Sequence, residues 1–376
     1  MGGSDDAPLG MSSSTSATPD AVPFLTASDQ LLPALDGLRA FSILLVLAEH
    51  AGLHLVPGGY GVFVFFVISG FLITRLLLAE QKRHGEISLR NFYIRRALRL
   101  YPVVVLYVTA VCALALIQGT EFSWWAPLSV LFYFSNFYLP HLEALGKTSL
   151  LPIGRFWSLS IEEQFYLVFP VILLLVRTPR RLAAVAMGCI LIAVSLRFVE
   201  GEFISPLLRP QYFYMHPELR MDSLAYGVLL ASLCELRPNM VLALGRHWIG
   251  GFLLGLTFLV VKEAPPLGKL VFRDLFMGLF VMVLIVSSVF RQKSGLLGIV
   301  LNWPPIVWVG RLSYSLYVWH GLVAFVISPY VSGVRLSLVF LSGSFLLACA
   351  SYYGVERPLL SLRKRFRPAG TRRDHI

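Results

Sequence analysis

Long apolar runs alternate along this chain with short polar stretches rich in arginine and lysine. The runs lie at about 35–54, 60–79, 101–118, 160–176, 183–199, 222–236, 248–261, 271–290, 305–328 and 335–355. Their length is that of helices crossing a bilayer, for which ~20 apolar residues are needed. None alternates with the period of two that marks a barrel strand. The pattern predicts an all-α fold, a polytopic transmembrane helix bundle of about ten full spans. An eleventh apolar stretch, 128–139, is short and carries Ser135 and Asn136 at its middle. It reads as a re-entrant segment, because a full crossing there would put the next basic cluster on the wrong side.

Charge sets the orientation. Basic clusters at Lys82–Arg99, Arg177–Arg181, Arg237 with Arg246, Arg291 with Lys293, and Arg363–Arg367 all fall on one side of this topology. The positive-inside rule makes that side cytoplasmic, with both termini inside. Residues 1–30 are rich in Ser, Thr, Pro and Asp and have no apolar run, so they read as a disordered tail without a signal peptide. Met11 offers an alternative start. Residues 31–358 form one membrane domain, and 359–376 a basic cytoplasmic tail.

Composition agrees. The 376 residues are 56% hydrophobic and only 14% charged, with a mean hydropathy of +0.71. A soluble domain is roughly a quarter charged. The net charge of +11 is spread over interhelical clusters, which speaks for topology, lipid headgroups and anionic ligands rather than nucleic acid. Cys112, Cys189, Cys234 and Cys349 lie within apolar runs at no paired spacing, so neither a disulfide framework nor a metal site is expected.

Against this apolar background a few polar residues stand out. Arg39 and His50, eleven residues apart in Leu35–Ala51, project from one helical face, roughly 16 Å apart along the axis. Ionisable groups on a membrane helix point to function, although a snorkelling arginine and a packed histidine would give the same pattern. Glu49 is turned away from that face. Arg95, Arg96 and Arg99 precede Tyr101-Pro102 at the inner surface. Guanidiniums at that spacing suit phosphates, and they also suit a loop that only sets topology. Trp157, Ser158, Glu162 and Tyr166 open the span at 160–176, with Glu162 on the face of Ser158. A glutamate there also stabilises a helix N-terminus. Ser69, Arg220, Asp222, Tyr314, Tyr317 and His320 are further intramembrane polar groups. Arg220 and Asp222 pair with each other or across helices.

Together these motifs resemble the acyltransferase-3 family of multi-pass membrane acyltransferases, over about residues 33–358. Its Arg/Lys-x10-His pattern falls on Arg39 and His50, FFxISGF on Phe65–Phe71, and RxxR on Arg96 and Arg99. WSLxxExxFY falls on Trp157–Tyr166, RxD on Arg220 and Asp222, SYxLYxWH on Ser313–His320, and ExP on Glu356 and Pro358. Members acetylate O-antigen, exopolysaccharides, peptidoglycan, nodulation factors and macrolides, and some carry an extracellular hydrolase-like domain, which is not expected here.

The resemblance implies a bacterial inner-membrane enzyme that moves an acyl group, most often acetyl, from cytoplasmic acyl-CoA to a hydroxyl, expected on a glycan or glycan-like acceptor. Acyl-CoA would be a co-substrate, with no permanently bound cofactor and no metal. His50 and Glu162 would be catalytic. Arg39, Arg95, Arg96 and Arg99 would hold the CoA. Ser69, Trp157, Ser158, Tyr166, Arg220, Asp222, Tyr314 and His320 would bind substrate or support the site. His50 would either deprotonate the acceptor hydroxyl or carry the acyl group covalently, with Glu162 toward the outer, acceptor side. A multi-pass transporter of an anionic or acylated small molecule would also suit midplane charges and a re-entrant segment, but no internal repeat is evident. A lipid-phosphate glycosyltransferase would more often show an acidic pair in the first outer loop, where this chain has HLVPGG.

Overall fold

Apolar helices cluster around two polar interiors in the computed structural model, which describes residues 32–53, 58–203, 215–245, 247–264, 266–290, 295–331, 333–362 and 366. The expectations for the tail 1–30, for most of the tail 359–376, and for Arg246, Arg291 and Lys293 lie outside the described residues. Every described element is helical. In chain order they are α1 (Pro33–His50), α2 (Gly59–His84), α3 (Leu89–Ile117), α4 (Trp125–Leu131), α5 (Ser135–Ala144), α6 (Phe156–Val176), α7 (Pro179–Phe203) and α8 (Met221–Leu236). There follow α9 (Pro238–Leu244), α10 (His247–Glu263), α11 (Pro266–Phe290), α12 (Leu296–Leu301), α13 (Pro304–Ile327), α14 (Gly333–Ser351) and α15 (Arg357–Leu362). A π-turn, Tyr352–Glu356, joins α14 to α15.

Each apolar run predicted as a span carries a long helix. Six are long and apolar enough to cross a membrane: α2, α3, α6, α7, α11 and the α14–α15 unit. The bent pair α9–α10 raises the number to seven if it is one span. The protein is thus a multi-pass membrane protein. α1 and α13 fall short of the same apolarity, and they carry Asp36, Arg39, Glu49 and His50, and Arg311 and His320.

Three boundaries differ from the sequence reading. The cations at 82–99 do not form a loop: Lys82 and Arg83 end α2, and Arg90 to Arg99 lie in the first three turns of α3. A 26-residue helix runs to roughly 39 Å, longer than a hydrocarbon core of about 30 Å, so its basic end projects beyond it. Gly85, at φ 75°, stops α2, and the Ser88 hydroxyl caps α3 at Asn91 N–H. The segment 128–139 is two short helices, α4 and α5, broken at Tyr133, which has φ 54°. At seven and ten residues, neither reaches across a bilayer core. α6 begins at Phe156 rather than near 160, which moves Glu162 from the first turn into the second.

Close crossings set the layout. On α2, a Cβ at Gly70 would lie 2.1 Å from the Leu224 carbonyl oxygen of α8, and a Cβ at Gly227 would lie 2.1 Å from that of Val67. Only glycine lets these backbones approach so closely. α2 and α8 run in the same direction, and Lys82 and Glu235 pair at their C-terminal ends. α1 and α13 also run together. Gly310 sits against the Asp36 backbone, and His50 meets His320 further along both helices.

Candidate active site

α1, α2, α3, α6 and α13 surround a cavity of about 570 Å³, its open mouth included. Its polar lining consists of Arg39, Ser69, Arg96, Arg99, Ser158, Glu162, Tyr166, Ser313, Tyr314 and Tyr317. Glu162 accepts hydrogen bonds from the Ser69 and Tyr166 hydroxyls. The Arg96 guanidinium lies over the Tyr166 ring, 4.2 Å from its centroid, a cation–π contact that aims it into the cavity. Among the described residues, Arg96 and Arg99 make no ion pair or hydrogen bond. Arg39 is held only loosely by Asp36, at 3.8 Å. Tyr314 donates to the Leu100 carbonyl at 2.8 Å, fixing α13 to α3.

A chain of polar contacts leads away from this cavity. Ser158, one turn before Glu162 on α6, hydrogen bonds with the Tyr317 hydroxyl, which also donates to the Arg155 carbonyl at 3.1 Å. The Tyr317 ring lies 5.4 Å from that of His320, and His320 lies 5.1 Å edge-on to His50. Each imidazole is tied through Nδ1 to a carbonyl of its own helix: His50 to Val46 at 2.7 Å, and His320 to Tyr317 at 2.7 Å. A carbonyl only accepts, so Nδ1 carries the hydrogen in both rings and each neutral Nε2 presents a lone pair. Glu49 is not the partner of His50; it accepts the Gly58 N–H at 2.8 Å and closes the α1–α2 turn.

The predicted residues thus divide into groups. Arg39, Arg96, Arg99, Ser69, Ser158, Glu162, Tyr166 and Tyr314 converge on one cavity, while His50 and His320 form a pair beyond Tyr317. Glu162 lies among the arginines, not beside His50, held there by the Ser69 and Tyr166 hydroxyls. Arg95 faces away from the cavity, paired with Glu80 at 3.0 Å and donating to the Phe366 carbonyl. Arg95 directly precedes Arg96, about 100° round the helix from it, and its contacts with Glu80 and Phe366 hold its guanidinium out of the cavity. Trp157 packs against Phe66 outside the cavity lining.

Arg220 and Asp222 belong to a second, buried cluster. Asp222 pairs with Arg197, and Asp274 receives Arg197 at 2.8 Å, Arg220 at 3.1 Å and Arg273 at 2.7 Å. Their connection runs across helices and joins α7, α8 and α11. Arg197 and Asp274 were absent from the sequence reading, although each is a charge within an apolar run and so carries the intramembrane signal. Tyr317 is the cavity residue whose importance the sequence understated. Among the described residues no His, Cys, Asp and Glu cluster is arranged to hold a metal ion.

A multi-pass helical membrane protein with an arginine-lined interior cavity is the class these features define. The chain belongs to the acyltransferase-3 family, whose model, described as an acyltransferase domain, matches residues 32–355. O-acetyltransferase OatA of Staphylococcus aureus strain NCTC 8325 / PS 47 is 31% identical over 353 residues, covering 88% of this chain and 58% of its own. OatA of strain COL matches to the same extent. The chain therefore spans less than two thirds of the length of these relatives. No solved structure matches it.

Proposed function

We propose that this domain is a membrane-embedded O-acyltransferase. It moves an acyl group from acyl-CoA on the cytoplasmic side to a hydroxyl of a carbohydrate or carbohydrate-like acceptor. The relatives are named for O-acetyl transfer, which makes acetyl the first group to test. One observation carries the reading: Arg96 and Arg99 face a common cavity with Arg39, three cations against the one carboxylate of Glu162, and neither Arg96 nor Arg99 forms an ion pair among the described residues. Guanidiniums held this way are suited to a phosphate-bearing ligand, and CoA carries several phosphates on its nucleotide end. The Ser158–Tyr317–His320 contacts link the wall of that cavity to His50, which lies on the side toward which the thioester end would extend.

In this reading the ten long helices all cross the bilayer, both termini face the cytoplasm, and α4 with α5 dips in from the outer side. The shared direction of α2 and α8, and of α1 and α13, supports this arrangement. His50 acts as the general base, because its Nδ1–H is committed to Val46 and its Nε2 lone pair is left for the acceptor hydroxyl. The hydroxyl oxygen attacks the thioester carbonyl, the C–S bond breaks, and the proton returns from His50 to the CoA sulfur. Glu162 orients Ser69 and Tyr166 and so holds Arg96 toward the donor. Arg197, Asp222, Asp274 and Arg220 brace the bundle.

Purified protein in nanodiscs, given acetyl-CoA labelled in its acetyl group and soluble oligosaccharides, is expected to leave covalent label on an oligosaccharide. Movement of intact labelled compound across proteoliposomes, with no transfer, would instead favour a transporter.

A further inference from the structure

His320 is 0% exposed, and its Nε2 has no hydrogen-bond partner in the protein. A buried acceptor left bare costs free energy that a donor would recover. Its polar surroundings narrow the choice of donor. The Tyr317 hydroxyl is engaged with Ser158 and the Arg155 carbonyl. Phe340 covers another side of the ring and offers no polar hydrogen. The charge of Arg155 bears on both imidazoles, and the ring packed against His320 edge-on is that of His50, 5.1 Å away. Neutral His50, with its hydrogen on Nδ1, has nothing to donate from Nε2. Once Nε2 carries a proton, it does.

We propose that His320 is a positioning residue for acyl transfer: its bare Nε2 accepts a hydrogen bond from His50 Nε2–H while His50 holds the acceptor's proton. The inference rests on the reading of His50 as the base. The acceptor O–H bond breaks and its proton passes to His50 Nε2. The oxygen bonds to the acyl carbon, and the C–S electron pair leaves with sulfur. His50 then returns the proton to that sulfur. His320 takes no net proton; it steadies the imidazolium between the two transfers and is released when His50 becomes neutral. The Nδ1–Tyr317 bond holds the ring so that Nε2 is the atom left for this task.

Two substitutions separate this role from a structural one. In His320→Asn the amide reaches the place of Nδ1 and nothing occupies that of Nε2. In His320→Gln the amide reaches the place of Nε2. Transfer from labelled acetyl-CoA to an oligosaccharide is the assay, and calorimetric binding of CoA reports an intact bundle. The expected result for His320→Asn is a kcat about ten- to a hundredfold lower, the loss of a hydrogen bond to a charged group, with KM for acetyl-CoA unchanged. His320→Gln recovers most of kcat. A wild-type kcat in His320→Asn overturns the proposal, as does a Gln variant that binds CoA yet turns over no faster than Asn. If the Gln variant loses CoA binding, the Asn variant decides alone. His50→Ala runs in parallel: wild-type transfer there removes the base itself, whereas an inactive His50→Ala with no Asn–Gln split removes only the role of His320.

Discussion

Replacing Arg96 with alanine tests the donor side of the site quantitatively. The guanidinium sits 4.2 Å from the centroid of Tyr166 and lines the cavity with Arg99 and Arg39. It makes no ion pair or hydrogen bond among the described residues, so removing it breaks no direct pair, and Glu162 keeps Arg39 and Arg99 as cations in the same cavity. The main loss is then the interaction with the ligand. A hydrogen bond to a charged group is worth about 1.5–3 kcal/mol, which is about 10- to 150-fold in Kd. The lost cation–π contact adds a smaller effect by freeing Tyr166. Arg96→Lys keeps a point charge but not the planar fork, and is expected to fall between wild type and alanine. Calorimetry on nanodisc-embedded protein compares CoA with pantetheine, which lacks the nucleotide and its phosphates. CoA affinity falls in Arg96→Ala while pantetheine binding stays at its wild-type value. Equal weakening of both ligands, or CoA binding within twofold of wild type, would refute the assignment of Arg96 to phosphate.

Three further outcomes are expected. Asp274→Ala removes the carboxylate that Arg197, Arg220 and Arg273 share; breaking such a buried cluster costs about 3–5 kcal/mol, read as a marked fall in Tm, and an unchanged Tm would contradict the bracing role. Glu162→Gln can still accept from Ser69 and Tyr166 but removes a negative charge beside the arginines; CoA binding tightens or holds while kcat falls, and weaker CoA binding would contradict the placement. Incubation with labelled acetyl-CoA without acceptor, followed by rapid quench and peptide mapping, leaves His50 unlabelled if transfer is direct, whereas stoichiometric label on His50 would establish a covalent carrier.

Much of the helical order was legible because burial in lipid demands long apolar runs, and these are visible one run at a time. The polar residues that interrupt such runs were equally visible where a motif drew attention to them. Arg197 is a lone charge in its run, and Asp274 follows Arg273 as an ordinary neighbouring pair; the partners that join them, Asp222 and Arg220 included, lie on other helices. Ser158 and Tyr317 are 159 residues apart and His50 and His320 are 270 apart; no local pattern signals that either pair meets. The meeting of the two histidines depends on how closely α1 and α13 pack, which Gly310 allows by sitting against the Asp36 backbone. The outward aim of Arg95 and the cavity location of Glu162 turned on partners far along the chain, Glu80 and Phe366 for the one and Ser69 for the other, which a hydropathy pattern does not show. Tyr133, in the left-handed region without being glycine, marks a break that a polar pair in an apolar stretch only hinted at.

The most direct test of the account compares His50→Ala with wild type in two measurements on the same nanodisc preparation: calorimetric CoA binding, and transfer of labelled acetyl to an oligosaccharide. Loss of a general base lowers turnover by about 10²–10⁴-fold, while the arginine-lined end of the cavity is untouched. The account predicts that large fall in kcat with an unchanged Kd for CoA. Wild-type transfer by His50→Ala would contradict it.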